Sequence, residues 1–430
     1  MKKSSLFFLI SVIILFTSSI SFTQNSDINY DESKVPAYTL PDPLILEDGS
    51  EISNKQDWLE KKRPEILQLF ESEVYGKAPG KPDSQKYKVI SEDNSAFNGS
   101  AVRKEIEIII NNNDKEITFN LLLYFPDNGK KTHPVILGLN FYGNQAVCND
   151  EKITITKNWV RNNKLFNIKN NRADESTRGV RASSWEVKYL IERGYALATI
   201  YYGDIDPDIH DGFKNGVHSL FYKNGQSKVN ADEWTSISAW AWGLSRAMDY
   251  LVTDRSVDKE KVVVMGHSRL GKTALWAGAQ DQRFAIAISN NSGCGGAALS
   301  RRRFGETVKK INNSFPHWFC GNFKKYNDNE DELPIDQHML IALIAPRLAY
   351  VASAEQDRWA DPHGEFLSAK NAEPVYSLFG KAGLQTESMP EVNNSVGDFI
   401  GYHIRTGKHS ATKYDWEQYL NFADKHFLDK

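Results

Sequence analysis

Cysteine is scarce: Cys148, Cys294 and Cys320 are the only three in 430 residues. A disulfide-stapled scaffold is therefore excluded. In an oxidising compartment an odd number allows at most one intramolecular bridge, and Cys294 with Cys320 is the nearer pair in sequence. An excess of one charge is also missing. The 52 Lys plus Arg stand against 55 Asp plus Glu, a net charge of −3, so the basic footprint of a nucleic-acid binder is absent. Beyond the N-terminus no run of about 20 apolar residues offers a membrane span. The ten histidines show no HExxH-type spacing and the cysteines do not cluster, so no catalytic metal is expected.

What is present is ordinary globular composition, with 40% hydrophobic and 25% charged residues. The one enrichment is aromatic, with 10 Trp and 18 Tyr, rings that either fill a core or line sugar-binding surfaces. Lys2 and Lys3 precede an apolar stretch from Leu6 to Phe16, and Ser18, Ser19, Ser21 and Thr23 follow. This is the three-part layout of a secretory signal over 1–23, with cleavage expected between Ser21 and Gln24 and a periplasmic or secreted destination. No Cys lies near the cleavage region, so a lipid anchor is not indicated. Residues 24–40 are polar and read as a flexible tether. Residues 41–430 read as one catalytic domain, although length alone would allow about three average domains.

Trp58, Ile66, Leu67, Leu69, Phe70 and Val74 recur at helical spacing over Asp57 to Tyr75. Two β-rich runs, Val102 to Ile110 and Glu116 to Phe125, flank Asn111 to Asp114, which is turn chemistry for an antiparallel hairpin. Short apolar runs then follow at Pro134 to Phe141, Ala196 to Tyr202, Lys261 to Gly266, Phe284 to Ser289 and Arg347 to Ala352. Runs of that kind suit strands buried on both faces of a parallel sheet. Helical segments at Ser184 to Arg193 and Glu233 to Thr253 lie between them, which predicts an α/β domain with right-handed crossovers. Gly143 to Arg181 and Arg303 to Pro334 lack periodicity and read as insertions over the sheet, where lids and substrate walls are often built.

The strongest local signal is Val262 to Gly266, then His267-Ser268-Arg269-Leu270-Gly271-Lys272, running into the helical Thr273 to Ala277. A strand, a serine on a sharp turn and a helix form the elbow that lifts a hydroxyl out of a sheet. It sets that hydroxyl at a helix N-terminus, where negative charge is favoured. The second glycine comes one residue later than in G-x-S-x-G. A serine hydroxyl needs a base, and the base needs an orienting acid. Downstream of the Arg347 to Ala352 strand, Asp357 is the favoured acid, with Glu355 and Asp361 as alternatives. His409, in the loop after a last strand, is the favoured base. His403 reads as a core residue, and His267 as packing on the opposite side of the turn. Oxyanion donors are sought at the Arg269 backbone N–H and in the loop Asn140 to Asn144.

With these residues in place the chain, from about Pro41 onward, resembles the glucuronoyl esterases, carbohydrate esterase family 15. The resemblance is carried by GHSRLGK at 266–272, by Leu137 to Phe141, by Ser292 to Ala298, by Phe304-Gly305-Glu306, and by Gly407-Lys408-His409 with Asp415-Trp416. It implies an α/β-hydrolase fold with a mostly parallel central sheet, N-terminal antiparallel strands, helices on both faces and inserted loops. It also implies a serine esterase that cleaves the ester between 4-O-methyl-glucuronic acid of glucuronoxylan and a lignin alcohol. Ser268 would be the nucleophile, His409 the base and the Arg269 side chain an oxyanion donor, while Lys272, Glu306 and Trp359 would hold the sugar. Read without the family, those last three are a helix-surface lysine, a loop carboxylate and a core tryptophan. Many members carry their acid as a Glu at the position of Asn291; an amide cannot take that role, so it falls to Asp357. The fungal cysteine spacing is missing, and its disulfides do not transfer. A monomer acting on glucuronoxylan or a lignin-carbohydrate ester is expected. The alternatives are a carbohydrate deacetylase with the same triad and a non-catalytic glycan-binding protein.

Overall fold

The computed structural model describes residues 28–223 and 225–428, so the signal-like segment 1–23 lies outside the described residues. Ten strands are described: β1 (Ser84–Ser95), β2 (Ala101–Asn112), β3 (Lys115–Pro126), β4 (His133–Asn140), β5 (Ala196–Tyr201), β6 (Val257–His267), β7 (Ile286–Asn290), β8 (Leu348–Ala354), β9 (Asn394–Gly397) and β10 (Ile400–Arg405). They form one sheet in the order β1-β2-β3-β5-β4-β6-β7-β8-β10-β9. From β5 to β10 the pairs are parallel. β1, β2 and β3 form an antiparallel wing that joins through β3 and β5, and β9 closes the far edge antiparallel to β10. The turn between β2 and β3 has Asn113 and Asp114 at φ 49° and 58°, as a tight hairpin requires.

Residue alternation assigns the faces. On β6, Val262 and Val264 join the larger core, while Val263 and Met265 join the smaller one on the opposite side. The larger core is built by helical residues 55–75, which include α1 (Arg63–Phe70), and by two long helices described below. The smaller core takes Leu190 and Ile191 from α2 (Val187–Glu192) and, from the C-terminal helix, Trp416, Tyr419 and Leu420. The long helices are α3 (Ser236–Leu251) and α4 (Arg269–Gln280), which bury Trp240, Leu244, Met248, Leu275 and Trp276. α5 (Pro362–Asn371) follows β8, and α6 (Lys413–Phe427) ends the domain. Fully burying one such aliphatic or aromatic side chain contributes about 1.5–3 kcal/mol. Most strands and helices thus lie within a few residues of their expected bounds, and the architecture is that of an α/β-hydrolase. Among the described residues no helix is long and apolar enough to cross a membrane.

Several expectations need correction. β1 and β9 carry no clear apolar run, because both are edge strands with exposed faces. The three cysteines are buried free thiols, so the Cys294 with Cys320 bridge is not formed. Within the segment read as a tether, residues 29–34 are docked on the protein. Asn29 O accepts from Gly305 N at 2.8 Å, and Arg302 Nη2 donates to both Glu32 carboxylate oxygens at 2.8 and 2.9 Å. Tyr30 meets Phe304 edge-on with ring centroids 6.1 Å apart.

Candidate active site

The elbow between β6 and α4 sets the nucleophile position. Ser268 has φ 60° and ψ −130°, a backbone state strained for a non-glycine residue. Strain of this kind persists only where the surroundings fix it, and here Ser268 N donates to Asn290 O at 2.8 Å while Ser268 O accepts from Gly271 N at 2.8 Å. Gly266 has no room for a Cβ, which would run into the Leu270 carbonyl. The late glycine has a steric reason of its own. A Cβ at Gly271 would sit 3.0 Å from Ser292 Cβ and 3.1 Å from Gly266 O, so any larger residue there would have to push α4 away from the end of β7.

His409 lies in the loop between β10 and α6, and its Nδ1 is 2.6 Å from Asp357 Oδ2. Asp357 is 5% exposed and follows β8 directly. Asn291 Nδ2 donates to the same carboxylate oxygen at 2.9 Å, so Asn291 helps hold the acid that follows β8. The alternatives are occupied elsewhere. Glu355 is exposed, and Asp361 caps α5 through Gly364 N at 3.0 Å and pairs with Arg302 at 2.8 Å.

His267 does not sit on the far side of the turn. Its ring centroid lies 4.5 Å from that of His409. Its Nδ1 is 2.6 Å from Asn290 Oδ1, and Asn290 Nδ2 donates to Asp415 Oδ1 and the Tyr419 hydroxyl, so His267 Nδ1 carries the proton in that contact. Burial, with His409 beside it, holds the His267 pKa well below the usual imidazole range. The ring is therefore neutral and adds no competing positive charge when His409 is protonated. His403 is fully buried between Tyr350 and Asp415, in agreement with its reading as a core residue.

Arg269 opens α4 and is gripped from below. Its Nη1 lies 3.1 Å from Asp208 Oδ2, and its guanidinium stacks over Trp318 at 4.8 Å and Phe141 at 5.3 Å. Burial opposes its charge, but Asp208 more than offsets this, and the Arg269 pKa is raised. Asp208 also accepts from Trp318 Nε1 at 2.7 Å, Tyr202 Oη at 3.0 Å and Arg161 Nη2 at 3.2 Å, and its Oδ1 lies 2.9 Å from His317 Nε2. Burial alone would raise the Asp208 pKa; these partners reverse that and hold it far below the carboxylate range. Among the described residues the Arg269 Nε–H has no protein acceptor. In the loop after β4, Asn140 Oδ1 accepts from Gly143 N at 2.9 Å, which fixes Asn140 to Asn144 beside the elbow.

The remaining predicted residues line the same cavity. Ser268, Arg269, Lys272, Glu306, Asp357, Trp359 and His409 all border one space of about 360 Å³, together with Asn291, Phe315 and Trp318. Lys272 Nζ donates to Ser292 O and Cys294 O and stands 3.8 Å from Glu306 Oε2. Burial lowers the Lys272 pKa and raises that of Glu306, each opposed by the other's charge. Lys272 is therefore no helix-surface residue, being only 3% exposed. Glu306 N donates to Trp359 O at 3.0 Å, which ties these two cavity residues together. Among the described residues no group of three or more His, Cys, Asp or Glu could hold a metal ion.

Two supporting carboxylates escaped the sequence reading. Asp208 lies beyond the helical turn Tyr202–Ile205 that follows β5, and the run of acids at 204, 206 and 208 after a parallel strand was a usable signal. Glu365 had none, since it lies inside α5. It is fully buried; Oε1 accepts from Ser292 N at 2.7 Å and Gly293 N at 3.0 Å, and Oε2 from Ser353 Oγ at 2.6 Å. Burial pushes its pKa up to about 8. It fixes the turn that presents Asn291 to Asp357.

Comparison with known proteins points one way. A family model described as glucuronyl esterase, fungi, matches residues 187–380. A carbohydrate esterase of an unknown prokaryotic organism is 50% identical over 422 residues, 96% of this chain and 97% of that protein. A 4-O-methyl-glucuronoyl methylesterase of Schizophyllum commune is 27% identical over 375 residues, 84% of this chain and 79% of its own length. Among solved structures, a promiscuous esterase of carbohydrate esterase family 15 from a marine bacterial metagenome superposes with a TM-score of 0.87 at 52% identity, covering 93% of this chain and all of the other. The glucuronoyl esterase of Solibacter usitatus does so at 0.86 and 50% identity, over 92% of this chain.

Proposed function

Because the chain belongs to carbohydrate esterase family 15, the glucuronoyl esterases, and is thus a carboxylic ester hydrolase, we propose that it hydrolyses the ester joining (4-O-methyl-)glucuronic acid of glucuronoxylan to lignin alcohols, through Ser268, His409 and Asp357. The observation that carries this reading is the convergence of those three residues with Arg269, Lys272, Glu306 and Trp359 on one cavity.

The chemistry runs in two halves. Ser268 Oγ attacks the uronoyl carbonyl carbon while His409 Nε2 takes its proton, and Asp357 holds Nδ1–H and stabilises the imidazolium. The tetrahedral oxyanion falls to the Arg269 guanidinium and to backbone N–H groups of the elbow, donors worth about 3 kcal/mol each when aimed at the developing charge. The alcohol departs with the proton from His409 and leaves a glucuronoyl ester on Ser268. Water, deprotonated by His409, cleaves that ester, giving glucuronate and the free hydroxyl of Ser268. The uronate carboxyl is esterified in the substrate, so recognition rests on hydroxyl contacts. Lys272 and Glu306 serve as donor and acceptor, and Trp359 as an apolar wall. No cofactor takes part.

The three-part N-terminus supports export to the periplasm or the medium, where such polymers are met. The chain acts as a monomer. The decisive assay compares benzyl glucuronate with 4-nitrophenyl acetate, with Ser268→Ala in parallel. Preferential turnover of the glucuronate ester that vanishes in Ser268→Ala is expected. Equal turnover of the acetate would favour the deacetylase reading, and full activity of Ser268→Ala would remove the mechanism.

A further inference from the structure

A cleft larger than the ester pocket lies elsewhere on the molecule. It lies behind the segment 203–211, with a volume of about 620 Å³, and its lining includes Lys157, Asn158, Trp159, Arg172, Asp204 and Asp211. A neighbouring space of about 320 Å³ shares Thr118, Lys157, Asn158 and Asp204 with it. Each lies within the range of ligand sites. We propose that this cleft binds a neutral pyranose chain, the backbone of the polysaccharide whose uronate ester occupies the other site. The identity of that polymer rests on the esterase reading; the chemistry of the cleft does not.

Its groups match a hydroxyl-rich, uncharged ligand. Trp159 is half-buried and borders the cleft, and the Tyr201 hydroxyl fixes its backbone carbonyl at 2.6 Å, so an aromatic ring with an apolar face is anchored at the cleft. Asp204 is a buried carboxylate with no cationic partner among the described residues, and its Oδ1 accepts from Asn158 Nδ2 at 2.7 Å and Thr156 Oγ at 3.1 Å. Asp211 is held by Phe213 N at 2.8 Å and Asn215 Nδ2 at 2.7 Å. Lys157 and Arg172 are exposed and have no acidic partner among the described residues. With Glu116, Asp204 and Asp211 set against those two cations, neither an anion nor a cation is selected. Each sugar hydroxyl can donate one hydrogen bond and accept others, and interleaved carboxylates, amides and cations meet both needs.

The placement gives the cleft a use. The segment 203–211 is a shared wall: Asp208 turns inward to Arg269, His317 and Trp318, while Gly203, Asp204, Pro207 and Ile209 face the cleft. No residue lines both sites. A polymer lying in the cleft is held one wall away from the ester pocket, which raises the local concentration of its esterified branches.

The test separates binding from turnover. Calorimetric titration of xylohexaose into the mature Ser268→Ala protein is expected to show one site. Trp159→Ala in that background should weaken it by about tenfold, on the order of 1.4 kcal/mol, and Arg172→Ala, at an exposed position, by a smaller factor. With Ser268 intact, both variants should lose several-fold in kcat/KM on polymeric glucuronoxylan ester while benzyl glucuronate turnover stays within about twofold. Absence of xylohexaose binding, binding only of uronate-bearing oligosaccharides, or parental affinity in both variants would overturn the proposal. Should Trp159→Ala fail to fold, Arg172→Ala decides alone. Failure to hydrolyse benzyl glucuronate would instead count against the esterase reading, leaving the titration as an independent measurement.

Discussion

Replacing Asp208 with Asn tests whether Arg269 works as an oxyanion donor because it is held in place. The substitution keeps the side chain's shape and removes its charge. At 3.1 Å and an effective dielectric of about 20, the gross attraction between Arg269 and Asp208 is about 5 kcal/mol, before desolvation is subtracted. The net loss is bounded by what Arg269 can contribute to the transition state, which for one oxyanion donor is about 3 kcal/mol. That corresponds to roughly a hundredfold in kcat. Because Asp208 does not line the ester pocket, KM should change little. Stopped or steady-state hydrolysis of benzyl glucuronate measures both constants, and thermal unfolding reports the separate cost of leaving Arg161 and Arg269 without their shared counter-ion. The double variant with Arg269→Ala is the sharper readout, since residues acting as a unit are not additive. It should be no slower than Arg269→Ala alone. A kcat within threefold of the parent for Asp208→Asn, or two effects that multiply, would refute the reasoning.

Further outcomes follow from the same geometry. Asp357→Asn keeps the contact to His409 but cannot stabilise the imidazolium, and kcat should fall by about 10³ to 10⁴ in the benzyl glucuronate assay, with the fold intact by circular dichroism. Glu365 has a folded pKa of about 8 and ordinary carboxylate behaviour when unfolded. Between about pH 4.5 and 8 the unfolded chain releases that proton while the folded chain keeps it, so this group subtracts stability as pH rises. Glu365→Gln, which resembles the protonated carboxyl, should therefore match the parent in Tm near pH 5 and exceed it near pH 8; equal Tm values at both pH values would contradict the assignment. Burial pushes the Cys148 and Cys320 thiols up to about 11 and holds that of Cys294 well above the ordinary thiol value. A thiol reagent should find all three cysteines only after denaturation, and reductant should leave Tm unchanged.

The features legible in the sequence are those with strong local constraints. β6 and the elbow announce themselves because a buried parallel strand must be apolar and the turn needs Gly266. Lys272 announces itself only through the family pattern, since nothing in helical periodicity distinguishes a buried lysine bonded to Ser292 O and Cys294 O from a solvated one. The docking of His409 on Asp357 was readable from chain order and strand ends. The contact of Asn291 with that same carboxylate was not, because it depends on a turn whose shape is set by Glu365, 73 residues downstream of Ser292. His267 was misplaced for a related reason: the side on which a residue next to the elbow emerges is decided by its hydrogen bond to Asn290, not by strand alternation.

The docking of residues 29–34 bears on how the protein should be handled in the laboratory. Asn29 and Glu32 grip Gly305, which adjoins Glu306 in the cavity wall, and Arg302, a few residues before it. A recombinant version trimmed to begin at Pro41 would cut away that brace and loosen the rim around Trp359. An affinity tag fused close to Asn29 would crowd the same rim, so the C-terminus is the better place for one.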